Sequence, residues 1–143
     1  MTAKQYLRQI RDLDNRAENY RRYYERCLRD IALLKSPRLD ADKVQASGSG
    51  AGFTAAVEKL VDMQAEANRR IDEYINERDK IIDQIHGLEY PYSAVLFERY
   101  VEYKDFLTIA NDLDYNYTWM LELHGTALQA FTEKYFCKLQ NNR

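Results

Sequence analysis

The sequence predicts an all-α protein: a long antiparallel helical hairpin, coiled-coil-like, followed by a compact C-terminal helix-turn-helix module. Three observations carry that reading. Only 5 glycines and 2 prolines punctuate the 143 residues, leaving long stretches free of helix breakers. Two segments of similar length repeat apolar residues at alternating steps of four and three. After residue 87 that long period gives way to short amphipathic pieces separated by turn residues. Hydrophobic residues make up 45% and charged residues 31%, so the chain can bury a core and is not composed like a disordered one.

The first long helix is predicted over 1–35. Its seam runs Tyr6, Ile10, Leu13, Ala17, Tyr20, Tyr24, Cys27, Ile31, Leu34, a heptad repeat without a slip, as expected of one helix lying along another. Ser36-Pro37 ends it, because the residue before proline avoids helical geometry and proline has no amide hydrogen. Residues 36–52 end in Ala46-Ser47-Gly48-Ser49-Gly50-Ala51-Gly52 and read as a flexible linker rather than a binding loop.

The second long helix is predicted over 53–87, with the seam Phe53, Val57, Leu60, Gln64, Ala67, Ile71, Tyr74, Arg78, Ile81, Ile85. Val61, Ile75 and Ile82 widen its stripe, which predicts contact with more than one neighbour and a homodimer. Gln64 and Arg78 interrupt the seam, as polar residues that fix register do. Neither helix would hold alone, so each needs a partner, either the other arm or a second chain. His86-Gly87 closes the second helix, with glycine as the cap.

Residues 88–143 form the module. Tyr90-Pro91 opens it, and Ser93 is predicted to cap a helix over Ala94–Tyr103. A short helix over Phe106–Leu113 follows, with Ile109, Ala110 and Leu113 inward. Asp114-Tyr115-Asn116 supplies turn residues that tolerate left-handed geometry. The last helix is predicted over Tyr117–Leu139, with Met120, Leu123, Leu128 and Phe131 in the core. Two helices joined by a turn of three or four residues, with small Ala110 at the crossing and Tyr115 plugging the turn, fit helix-turn-helix spacing.

Charge is unevenly spread although the net is only -2. Residues 1–35 carry nine Lys/Arg and five Asp/Glu, residues 36–93 seven and eleven, and residues 94–143 five and seven. The resulting +4 and -4 of the two arms suit pairing between them. Arg8, Arg11, Arg22, Arg26 and Arg29 could track phosphates, but a solvated face with ion pairs is the favoured reading. Trp119 and the tyrosines read as core or interface before base stacking.

No catalytic site, cofactor or metal is expected. Asp83-x-x-His86 has the spacing of a di-iron pair but lacks the second pair and two further glutamates. His124 has no nucleophile beside it, and Ser47-Gly48-Ser49-Gly50 lacks the lysine of a phosphate loop. Cys27 and Cys137 match no ligand spacing and read as reduced thiols. The first residues lack an apolar leader and no run nears the ~18 apolar residues of a membrane span. A cytoplasmic protein with no membrane partner is expected.

Residues 95–131, from Val95-Leu96-Phe97-Glu98-Arg99-Tyr100 through Tyr117, Trp119, Leu123-His124-Gly125 and Ala127-Leu128, resemble sigma-70 region 4. They are more similar still to a family of small phage and prophage proteins of Gram-positive bacteria, a domain of unknown function labelled as transcriptional regulators. The similarity extends to Thr2-Ala3-Lys4-Gln5-Tyr6-Leu7 and Asp42-Lys43-Val44-Gln45-Ala46-Ser47. It implies binding to promoter DNA, RNA polymerase, or both, in the host cytoplasm. Asn116, Tyr117, Thr118, Trp119, Leu121 and Glu122 would face the major groove, with Lys104 and Thr108 near phosphate.

Three departures stand against DNA. Where relatives carry Arg or His, this chain has Thr118, Leu121, Glu122 and Thr126, and the usual turn glycine is Asp114. From Asp105 through Glu133 there is no Lys or Arg, whereas DNA affinity rests largely on such cations. Glu122 would repel a duplex unless it accepts from cytosine N4. A helical protein-binding module, inhibiting or adapting another protein through a degenerate helix-turn-helix, is the alternative.

Overall fold

The structure is a computed structural model that describes residues 1–35 and 49–137. Residues 36–48 of the linker predicted over 36–52, with Ser36-Pro37, and the end of the last helix beyond Cys137 lie outside the described residues. What is described is helical and contains no strand. The elements are α1 (Ala3–Lys35), α2 (Ser49–His86), α3 (Tyr92–Tyr100), α4 (Phe106–Asp112) and α5 (Tyr117–Phe131), then a π-helical stretch, Thr132–Phe136. No helix among the described residues is long and apolar enough to cross a membrane.

The chain divides into two compact units, and the division falls elsewhere than at residue 88. One comprises Met1–Asp14 with Ile75–Arg143, the other Asn15–Tyr74. In the first, α1 opens with a reciprocal cap: the Gln5 amide donates to Thr2 Oγ1 at 3.2 Å, and the Thr2 amide to Gln5 Oε1 at 2.9 Å. This pairing satisfies amides that the first turn of a helix leaves unbonded. Ala3, Leu7, Ile10 and Leu13 are buried, as are Ile81, Ile85 and Leu88. Leu7 and Ala3 lie off the predicted seam, so the first turns of α1 bury two flanks rather than one. The Tyr6 hydroxyl donates to Gln84 Oε1 at 2.7 Å, and its ring meets Phe131 and Phe136 with centroids 5.9 and 5.5 Å away. Arg78, the cation in the seam, bonds Asp14 Oδ1 at 2.8 Å, which lets it sit half-buried without an uncompensated charge.

Helices α3 to α5 pack around Val95, Ile109, Ala110, Met120 and Leu123, with Tyr92, Phe106, Leu113 and Tyr115 against that cluster. Helix α3 starts earlier than expected: Pro91 takes the cap position, no side chain caps it, and Ser93 lies inside the helix. Proline suits a helix start because the amide it lacks would be unpaired there anyway. The helix also ends at Tyr100 instead of Tyr103, because Tyr103 takes a left-handed φ of 59°. The amides of Glu102 and Lys104 reach back to the carbonyls of Phe97 and Glu98, both at 3.1 Å. Leu128 is half-buried, not core. Gly87 does not adopt positive φ. Its hydrogen leaves room for Tyr135, whose hydroxyl oxygen would stand 2.2 Å from an added Cβ.

The second unit is built from the remainder of α1 and the start of α2. Helix α2 begins at Ser49, so residues 49–52, expected in the linker, are helical. Ala67 is the one buried residue of this unit among the described residues. Seam positions Ala17, Tyr20, Tyr24, Cys27, Ile31, Val57, Leu60, Ile71 and Tyr74 are half-buried, and Gln64 is exposed. A register-fixing role for Gln64 therefore has no buried contact behind it. Tyr20 and Tyr74 pack with ring centroids 5.9 Å apart. The ion pairs run along single helices: Arg21 to Glu18 and Glu25, Arg22 to Glu18, and Arg69 and Arg70 to Glu66 and Glu73. The guanidiniums hold the Glu18 carboxyl down at about 2.

Candidate functional site

The outward face of α5 is set by its two neighbours. Helix α4 is capped by Asp105, whose side chain accepts from the Thr108 amide at 2.8 Å; that bond holds the carboxyl below its ordinary range. Four residues, Leu113 to Asn116, join α4 to α5. The Tyr115 amide reaches back to the Ala110 carbonyl at 2.8 Å, and Asp114 takes a left-handed φ of 57°. Asp tolerates that geometry better than most side chains. Ala110 is 1% exposed, so a larger residue there would push α4 off its neighbours.

Five of the eight sequence-predicted site residues project from the first turns of α5. Tyr117, Thr118, Trp119, Leu121 and Glu122 are all exposed. Thr118, Leu121 and Glu122 share one face at i, i+3 and i+4. Trp119 and Glu122 also line a cleft of about 250 Å³ with Pro91, Tyr92, Leu123 and Thr126. The other three residues are differently engaged. Asn116 is the helix cap, its Oδ1 accepting from the amides of Thr118 at 2.8 Å and Trp119 at 3.5 Å, so that oxygen is not free to read a base. Lys104 places its ammonium 2.5 Å from Glu98 and 3.0 Å from Asp112, and these carboxylates hold its pKa above the ordinary lysine value. It joins α3 to α4 rather than standing open to phosphate. Thr108 is exposed and its amide serves the α4 cap.

Two residues of this unit, both present in the sequence motif, have roles that the sequence alone does not assign. Gly125 lies on the outward face of α5, exposed, and an added Cβ would meet nothing within 4 Å. Internal packing therefore does not require glycine there. The second is His124, buried behind the same helix. Its Nε2 lies 3.0 Å from the Tyr100 hydroxyl, with the Tyr100 and Phe106 rings against it at 5.8 and 4.8 Å. Burial, then Arg99 and Lys4, pushes its pKa down to about 4, so the ring is neutral at pH 7. Its partner Tyr100 lies 24 residues away and leaves no local signature beside His124 in the sequence.

No family model, curated protein or solved structure matches the chain.

Cations gather away from α5. Arg8, Arg11, Asp12, Arg99, Tyr100 and Tyr103 line a cleft of about 440 Å³ in the first unit. Asp83 and His86 do not converge on further ligands. The His86 ring packs tilted against Phe97 with centroids 5.3 Å apart, and among the described residues no three His, Cys, Asp or Glu side chains cluster as a metal site would need.

Proposed function

We propose that the chain is a phage or prophage transcription regulator of the bacterial cytoplasm. In this reading α3–α5 form a helix-turn-helix of the sigma-70 region 4 kind, which presents α5 to promoter DNA or RNA polymerase. The two long helices form an antiparallel hairpin that mediates assembly. The observation that carries it is the α4–turn–α5 corner: four connecting residues, a left-handed Asp114, a buried Ala110, and an outer α5 face left free. Gly125 adds to it. A mid-helix glycine costs about 1 kcal/mol relative to alanine, and with no internal contact to explain it, close approach by a partner does. An electrophoretic shift at low salt against the chain's own upstream DNA, with and without RNA polymerase, tests the reading. No shift at micromolar protein in either condition would defeat it.

A second reading, protein-only docking through a degenerate helix-turn-helix, is favoured by one observation. The exposed part of α5 offers Tyr117, Trp119 and Leu121 at 47, 53 and 40% exposure with Glu122 and no cation. Aromatic anchors ringed by polar groups suit a protein partner better than a phosphate backbone. Trp119→Ala separates docking on protein from docking on DNA. It should abolish polymerase capture if the face meets protein, and leave a salt-sensitive DNA shift largely intact if phosphates dominate.

A further inference from the structure

We propose that the cleft between α1 and the end of α3 is a phosphate-binding site, built from Arg8, Arg11 and Arg99. Three guanidiniums border one concavity of about 440 Å³, and none forms an ion pair with a carboxylate among the described residues. Of the other described arginines, Arg21, Arg22, Arg69, Arg70 and Arg78 each bond an acid, while Arg16, Arg26 and Arg29 do not. Arg8 and Arg11 stand one turn apart on α1, both exposed. Arg11 lies over the Tyr103 ring at 5.5 Å, and the Tyr103 hydroxyl is tied to Asp14. Arg99 is anchored twice, by donating to the Lys104 carbonyl at 2.9 Å and by lying over Phe106 at 4.3 Å. Cations oriented before a ligand arrives lose less freedom on binding. Asp12 also lines the cleft, leaving a lining charge of +2 for a dianionic group. The shared chemistry is a phosphate oxyanion, borne by a nucleic-acid backbone or by a free phosphorylated molecule.

If the source is DNA, the site deepens the regulatory reading, because it supplies the cations that α4 and α5 lack. Two probes distinguish the sources: pyrophosphate titrated by calorimetry, and an upstream-region duplex whose affinity is followed against salt. Arg8→Gln/Arg11→Gln is compared with Arg22→Gln/Arg29→Gln, which removes equal charge elsewhere on α1; circular dichroism confirms that both fold. The cleft variant should weaken pyrophosphate at least tenfold while the control does not. On DNA it should also lower the salt slope by about 2, since each neutralised phosphate contributes about 0.9. Loss of pyrophosphate binding with no change on DNA assigns the cleft to a free ligand. Wild-type protein that binds pyrophosphate but no DNA leaves the cleft standing and defeats DNA binding. Equal behaviour of both variants with both probes overturns the site.

A separate observation carries a second proposal. In the Asn15–Tyr74 unit one face of the helix pair is an open groove. Tyr23, Cys27, Asp30, Ile31, Ala56, Lys59, Leu60 and Met63 line about 450 Å³ of it, and Tyr20, Asp62 and Glu66 continue it. Arg26 stands about 60° around α1 from Tyr23 at 100° per residue, on the groove's rim, and is exposed. Arg26 and Asp30 on α1, and Lys59 and Asp62 on α2, have no ion-pair partner among the described residues. The geometry points to a second copy of this chain as the occupant. A twofold axis along the helices lays α1 of one copy over α2 of the other, so that Arg26 meets Asp62 and Asp30 meets Lys59. Both pairs join opposite charges, twice each by symmetry. Sedimentation should give a dimer in the micromolar range. Arg26→Glu should raise its dissociation constant at least tenfold, and Arg26→Glu/Asp62→Arg in one chain should restore it to within about threefold. Tyr23→Glu, at a position already 56% exposed, should dissociate the dimer without loss of helix. A wild-type monomer at 100 μM (roughly 8 kcal/mol is already gained at 1 μM affinity), or a charge swap that fails to restore pairing, overturns it.

Discussion

The two compact units hold their helices by different means. Around α3–α5, short helices carry weak local preference and are fixed by a buried cluster, two side-chain caps and a neutral histidine wedged among aromatic rings. In the Asn15–Tyr74 unit the helices are long and regular, yet a single described residue is buried and the ion pairs serve each helix separately. Surface ion pairs contribute little to stability, so periodicity alone does not make a core. A seam between two helices leaves each apolar side chain half wet until something covers the open side.

The sharpest test of that contrast is truncation. Met120→Ala, at a site with 0% exposure, should cost about 2–5 kcal/mol in chemical denaturation. Leu60→Ala, half-buried, should cost about 1 kcal/mol in dilute solution. A Leu60→Ala cost that rises toward that of Met120→Ala with protein concentration would mean that a dimer buries the seam.

Acid should act on the first unit before the second. The pKa of His124 falls to about 4 in the folded protein, below the ordinary 6.5, so the folded state takes up its proton less readily than the unfolded chain. Stability is therefore complete above about pH 6.5 and falls as pH drops toward 4, by up to about 3 kcal/mol. Denaturation midpoints from pH 7 to 4 should show that fall, and His124→Gln should flatten it. If His124→Gln leaves the slope unchanged, another group carries the acid sensitivity.

Smaller effects concern the corner itself. Asn116→Ala should cost about 1 kcal/mol through loss of the α5 cap. It should weaken partner binding only in proportion to unfolding, whereas Trp119→Ala should leave stability nearly unchanged and alter binding. Asp114→Gly should add about 0.5 kcal/mol by relieving left-handed geometry. A loss there would mean that the Asp114 side chain has a local bond that outweighs its backbone strain. In the other unit Glu18→Gln should shift the melting curve least of all, because its ion pairs with Arg21 and Arg22 lie at the surface.

Much of this was legible in the chain. Alternating steps of four and three located α1 and α2, because one-sided burial writes a period into the sequence. Asp114-Tyr115-Asn116 announced the turn, and Ala110, Met120, Leu123 and Phe131 fell inside as their spacing requires. The roles of Lys104 and Asn116 were not legible. Both carry groups suited to nucleic acid, but the first is held by acids six residues before it and eight after, and the second by the helix it starts. The arginine cleft was hidden for a related reason. Arg8 and Arg99 are ninety-one positions apart, and only tertiary packing brings them to one concavity. Leu7 was missed because a heptad describes one neighbour, and the first turns of α1 have two.

The π-helical stretch from Thr132 to Phe136 bears on how the chain tolerates changes in length. In an α-helix, side chains five apart point about 140° away from each other. The wider winding of a π-turn, which takes in one extra residue, instead lets Phe131 and Phe136 both reach the Tyr6 ring. Removing one residue between them would put the two phenylalanines four apart in an ordinary helix, again on one side. Adding one would set them about 120° apart in an ordinary helix. This tail can therefore be shortened by a residue and keep its grip on α1, but it cannot be lengthened by one.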